Sequence, residues 1–94
     1  MKNENVITYE VYVTGRVQGV AFRHYTKLTA DSLGLHGWVR NLTNGQVCIN
    51  VMGPRDKVYD FLKWCHKGPQ AARVDELSFS PIPDLVSNEF SIVR

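Results

Sequence analysis

Cysteine is scarce: Cys48 and Cys65 are the only two in 94 residues, and no Cys-x-x-Cys pair occurs. That scarcity argues against a zinc site and against a scaffold stapled by several disulfides. A single bridge would need a close Cα approach that spacing alone does not supply, so the two thiols read first as free and partly buried. An excess of one charge is missing as well. Eleven Lys and Arg stand against nine Asp and Glu, a net charge of +2 with no run of like residues, which offers no broad footprint for nucleic acid. No stretch approaches the ~18 apolar residues of a membrane span, and no apolar leader core follows the charged N-terminal residues. The expectation is a cytoplasmic monomer with neither a nucleic acid nor a membrane as partner, binding only a small anion.

What the chain does have is apolar surface. At 44% hydrophobic and 21% charged it can build one core, and it is too short for two, so residues 1–94 read as one domain. Ile7, Tyr9, Val11 and Val13 alternate with polar residues between Val6 and Thr14, the period of a strand with one buried face. From Phe22 the apolar positions Phe22, Tyr25, Leu28 and Leu33 take helical spacing, and Gly34 closes the segment as a C-terminal cap. Gly37–Leu42 and Gln46–Met52 read as strands joined by Thr43-Asn44-Gly45, whose Asn-Gly pair tolerates positive φ at both residues. After Gly53-Pro54, Val58, Phe61, Leu62 and Cys65 mark an amphipathic helix that Gly68-Pro69 stops. Val74, Leu77 and Phe79 mark a fourth strand whose change of parity predicts a bulge; Pro81 and Pro83 end it, and Phe90–Val93 form a short last strand.

The order β-α-β-β-α-β closes as two split βαβ units. The fold class is therefore α+β, a ferredoxin-like plait with two helices on one face of an antiparallel sheet. Unrelated functions share this topology, so function has to be read from a site.

The segment between the first strand and the first helix concentrates attractors for an anion. Two glycines, Gly15 and Gly19, flank a loop that leads onto a helix start, and Arg23 falls in the first helical turn. Exposed backbone N–H groups, the positive end of the helix dipole and a planar guanidinium would together hold a phosphate or carboxylate. A cation at a helix N-terminus opposes the dipole, which points to an anion between them. No Gly-Lys-Ser/Thr follows the glycines and no magnesium ligands lie near, so the site is expected to hold neither metal nor cofactor. The same glycines also suit an ordinary strand-to-helix turn. Asn41, near a strand end before the hairpin, fits either a turn-opening amide or a functional one. His24, about 100° around the helix from Arg23, is expected on a different face. Trp38 stands close enough in sequence to Asn41 to cover part of a substrate, and Arg16 is a second cation in the loop.

Gly15-Arg16-Val17-Gln18-Gly19-Val20-Ala21-Phe22-Arg23 resembles the first signature of the acylphosphatase family, and Gly37-Trp38-Val39-Arg40-Asn41 with Gly45-Gln46-Val47 and Gly53 resembles the second. Phe61-Leu62-Lys63-Trp64, Gly68-Pro69, Ala72-Arg73-Val74 and Phe90–Arg94 resemble its other recurrent features, so the likeness runs through nearly the whole chain. Ala21 stands where the family commonly has Gly, and Asn44 where it often has Asp. The resemblance implies a cofactor-free, metal-independent hydrolase that converts acyl phosphates to a carboxylate and inorganic phosphate. It assigns catalysis to Arg23 and Asn41, and phosphate binding to Arg23 and the backbone N–H groups of Gln18, Gly19, Val20, Ala21 and Phe22. The Asn41 side chain would position the attacking water, and Arg94 has an open role near the loop. Two competing readings remain: a module that binds an acyl or carbamoyl phosphate without turnover, and an RNA-binding plait. The second lacks paired exposed aromatics on its central strands.

Overall fold

A computed structural model describes residues 5–94; residues 1–4, part of the charged N-terminal stretch considered above, lie outside the described residues. The chain runs β1 (Val6–Arg16), α1 (Phe22–Ser32), β2 (His36–Asn41), β3 (Val47–Pro54), α2 (Arg55–Lys67), β4 (Arg73–Pro81) and β5 (Phe90–Ile92). The strands form one sheet in the order β4-β1-β3-β2-β5. This is the expected α+β plait, with one correction to its antiparallel sheet: β5 pairs parallel to β2, Gly37 opposite Phe90. The reason is topological. β4 runs antiparallel to β1 and ends beside the start of β1, at the end of the sheet where β2 also begins. Residues 82–89 carry the chain to the far edge at that same end, so β5 must set out alongside β2.

Alternation along the strands decides which side chains meet the helices. Val11, Val13, Val39, Val47, Ile49 and Val51 are fully buried on the helical side, together with Phe90. From α2, Val58, Phe61, Leu62 and Cys65 close the core at the spacing read from the sequence. The inner face of α1 differs from the expectation. Its buried residues are Phe22, Thr26 and Ala30, whereas Tyr25 and Leu28 are 45% and 50% exposed. A polar residue serves inside because the Thr26 hydroxyl donates to the Phe22 carbonyl at 2.8 Å, leaving only its methyl to pack.

The predicted bulge is present: the register shifts between Thr14 and Gly15, which oppose Glu76 and Val74, so Asp75 is the extra residue. Gly15 has φ 138°, and a Cβ there would overlap the Arg73 carbonyl oxygen, so this glycine serves the bulge rather than an anion. At the hairpin only Gly45 takes positive φ, not both residues of Asn-Gly. Gly45 N–H donates to Leu42 O at 3.2 Å, while Asn44 Oδ1 accepts from Gln46 N–H at 2.9 Å. Among the described residues no helix is long and apolar enough to cross a membrane.

Ala21 is the one described non-glycine residue with positive φ, at φ 61° and ψ 24°. A Cβ in this left-handed conformation costs about 1–2 kcal/mol, partly offset by the greater unfolded-state freedom of glycine. Ala21→Gly should therefore stabilise the fold by about 0.5–1 kcal/mol, read as a higher urea midpoint at unchanged slope. An unchanged or lower midpoint would remove the strain argument.

Candidate active site

The loop from β1 to α1 is pinned at both ends by buried apolar side chains. Val17 and Phe22 are each 1% exposed, and the Phe22 ring packs against Trp64 of α2 at 5.6 Å between centroids. Between these anchors the chain bows outward through residues 18–21, and Ala21 turns it into the helix. Gln18 braces the bow from within: its Nε2 donates to the carbonyls of Leu42 and Gln46, both at 2.8 Å, tying the loop to the β2–β3 hairpin. Sequence reading gave Gln18 only a backbone role, since nothing in the residue order shows which carbonyls come within reach.

Among the described residues, none of the backbone N–H groups from Gln18 to His24 has a hydrogen-bond partner. The first helical bond is Tyr25 N–H to Ala21 O, 3.1 Å. The helix start carries no side-chain cap and no acidic residue in its first turn, so the donors and the positive dipole end face outward uncompensated. Arg23 joins them, and no acidic partner lies within ion-pair distance of it among the described residues.

Asn41 reaches the same place from the sheet. On β2, Gly37, Val39 and Asn41 point to the helical side, and Val39 and Asn41 sit where α1 begins and β5 ends. A cavity of about 210 Å³ opens there, lined by Val17, Gly19, Ala21, Phe22, Arg23, His24, Asn41 and Ile92. Arg23 and Asn41, 18 residues apart in sequence, thus border one hollow. The Asn41 Oδ1 is buried with no hydrogen-bond partner among the described residues. An orphan acceptor of this kind is costly in a native interior unless something outside the protein fills it, and a water O–H suits it.

Several neighbours fall elsewhere than expected. His24 is among the residues bordering the cavity, while its ring packs edge-on against Tyr25 at 5.1 Å between centroids. Trp38 shares with Arg40 the sheet face turned away from the helices, where the guanidinium stacks 5.2 Å from its ring, so it covers no part of the cavity. Arg16 sits opposite Arg73 at the β1–β4 pairing and does not line the cavity. Arg94 borders an adjacent hollow with Arg40 and Asn41.

The cysteines are free, and they lie on opposite sides of the sheet: Cys65 faces the helical core, while Cys48 faces the other way between Tyr12 and Arg40. Burial pushes both thiols above their ordinary range, aided at Cys48 by the Glu10 carboxylate, so neither supplies a thiolate nucleophile. Among the described residues no three His, Cys, Asp or Glu side chains converge as a metal site would require.

Fold and cavity together define a class: a ferredoxin-like plait with a small hollow at its first strand-to-helix crossover, bordered by Arg23 and Asn41. The acylphosphatase family model matches residues 9–92. An acylphosphatase of a Nostoc species is 53% identical over 73 residues, covering 78% of this chain and 72% of that protein. The acylphosphatase structure from Coxiella burnetii superposes with TM-score 0.94 at 33% identity over 99% of this chain and 98% of that one. The Bacillus subtilis acylphosphatase gives 0.90 at 35%, over 94% and 99%. The chain belongs to the acylphosphatase family.

Proposed function

We propose that the protein hydrolyses acyl phosphates to a carboxylate and inorganic phosphate, with the phosphoryl group held by Arg23 and the amides of residues 18–22 and the attacking water positioned by Asn41. The observation that carries this reading is that Gly19, Ala21 and Phe22, whose N–H groups have no partner among the described residues, border one small cavity together with Arg23 and the orphan Asn41 amide oxygen, while Gln18 and Val20 flank it. Phosphoryl transfer passes through a loose transition state with charge spread over the equatorial oxygens, so placement and electrostatic stabilisation supply most of the catalysis. Preorganised amides and a guanidinium meet that need.

The water oxygen bonds to phosphorus as the P–O bond to the acyl group breaks, the electron pair leaves with the carboxylate, and the water proton passes to a phosphoryl oxygen. A carboxylate whose acid has a pKa near ~4 departs at neutral pH without protonation, so no general acid is required. Asn41 orients the water through Oδ1 and cannot take its proton. A phosphomonoester would instead release an alkoxide and call for an acid or a metal.

Phosphate release from benzoyl phosphate, with and without a chelator, tests the proposal, with p-nitrophenyl phosphate as the monoester control. Turnover of the acyl phosphate at equal rate in both conditions, and none of the monoester, is expected. Binding of inorganic phosphate without turnover would replace the enzyme with the binding module, and loss of activity on chelation would end the metal-independent mechanism.

A further inference from the structure

The hollow beside Asn41 and Arg23, about 210 Å³, is small enough to take a phosphoryl group alone, and it leaves the acyl half of the substrate to be placed. A second cavity, about 500 Å³, opens on the other side of Ala21, between Tyr25 of α1, Trp64 of α2 and the turn at Pro69–Ala72. Its size falls in the ~300–1,000 Å³ range of ligand pockets. Val20 and Ala21 form its inner wall, so Ala21 borders both cavities. None of its lining residues carries a charge.

We infer that this groove seats the acyl group and selects uncharged aromatic or aliphatic acyl phosphates; the inference rests on the hydrolase reading above. In-line displacement requires the leaving oxygen to lie opposite the attacking water across phosphorus. The water is assigned to Asn41, on the β2–β5 side of the crossover. α1 packs over β2 and β5, and α2 over β1, β3 and β4, so the direction away from Asn41 leads past Ala21 toward α2 and into the groove. The hollow beside Arg40 and Arg94 is excluded for the same reason: it borders Asn41 and lies on the side of the nucleophile. Tyr25 explains itself in this arrangement. It is an aromatic residue at a helical position that the core does not use, 45% exposed, its ring edge-on to His24 at 5.1 Å, and it lines the groove together with the half-buried Trp64.

The test compares kcat/KM for benzoyl and acetyl phosphate in the full chain and in two variants, Tyr25→Ala and Ala71→Gln. Both positions are exposed, and Ala71 lies in a turn closed by Ala72 N–H to Pro69 O at 2.9 Å, so neither change disturbs the core. One variant removes an apolar wall and the other narrows the groove with a polar group. Each should lower the benzoyl-to-acetyl ratio about tenfold, equivalent to about 1.4 kcal/mol, with inhibition by inorganic phosphate unchanged. A ratio that stays constant in both variants overturns the inference, whether the two rates fall together or not at all. Failure of the parent chain to hydrolyse either substrate is a separate result, and it overturns the hydrolase reading instead.

Discussion

Arg23→Ala is expected to lower kcat/KM for benzoyl phosphate by about two orders of magnitude, a loss of about 3 kcal/mol in transition-state stabilisation. The size follows from what the guanidinium would do at the cavity: donate charge-assisted bonds to oxygens whose negative charge peaks in the transition state. Affinity for inorganic phosphate should fall as well, because the product presents the same oxygens. Stability should behave in the opposite sense. A cation in the first turn of α1 opposes the dipole and has no acidic partner among the described residues, so the urea midpoint should hold or rise. Arg23→Lys would keep the charge and lose the planar fork, and should recover only part of the rate. Parent-like turnover by Arg23→Ala would remove the guanidinium from the mechanism.

The Asn41→Ala variant should show a different signature: kcat lower by about two orders of magnitude, with little change in the inhibition constant for phosphate. The group is assigned to the water and not to the anion, so its loss is felt only in the step that water takes. Its Oδ1 is already without a partner among the described residues, so truncation leaves none of their groups unsatisfied and should cost little stability. A parallel loss of phosphate affinity would transfer Asn41 to anion binding, and an unchanged kcat would strip it of a role.

The two variants are separable because the residues arrive from different elements. Arg23 is carried by the helix that begins at Phe22, and Asn41 by a strand whose alternation turns it toward that helix. The motifs around each are contiguous and visible in the residue order. Their convergence on one cavity follows only when β2 and the crossover loop are brought to the same end of the sheet, which the pairing β1-β3-β2 accomplishes.

Tyr25, Leu28 and Trp38 fell elsewhere than expected for two different reasons. Tyr25 and Leu28 satisfy helical spacing as well as Thr26 and Ala30 do, and hydropathy favours them. The choice went to the smaller pair because α1 packs close to β2 and β5, and the larger residues remain outside. Trp38 was one strand parity away from the site: Asn41 and Trp38 are three residues apart, and an odd spacing on a strand places them on opposite faces. The parity shift at Val74 and Leu77 was readable for the same reason, because a bulge leaves its mark on alternation itself.

The residue order by itself determined the element sequence, the inner faces of β1 and α2, the bulge and the two segments that carry Arg23 and Asn41. Each of these is written in short-range periodicity or in a contiguous motif. Tertiary structure alone decided the parallel pairing of β5, the Gln18 brace across to the hairpin carbonyls, the unpaired donors of the crossover loop and the groove shared by Tyr25 and Trp64. Those depend on groups far apart in the chain meeting in space, and on which polar atoms are left over once every internal hydrogen bond has been made.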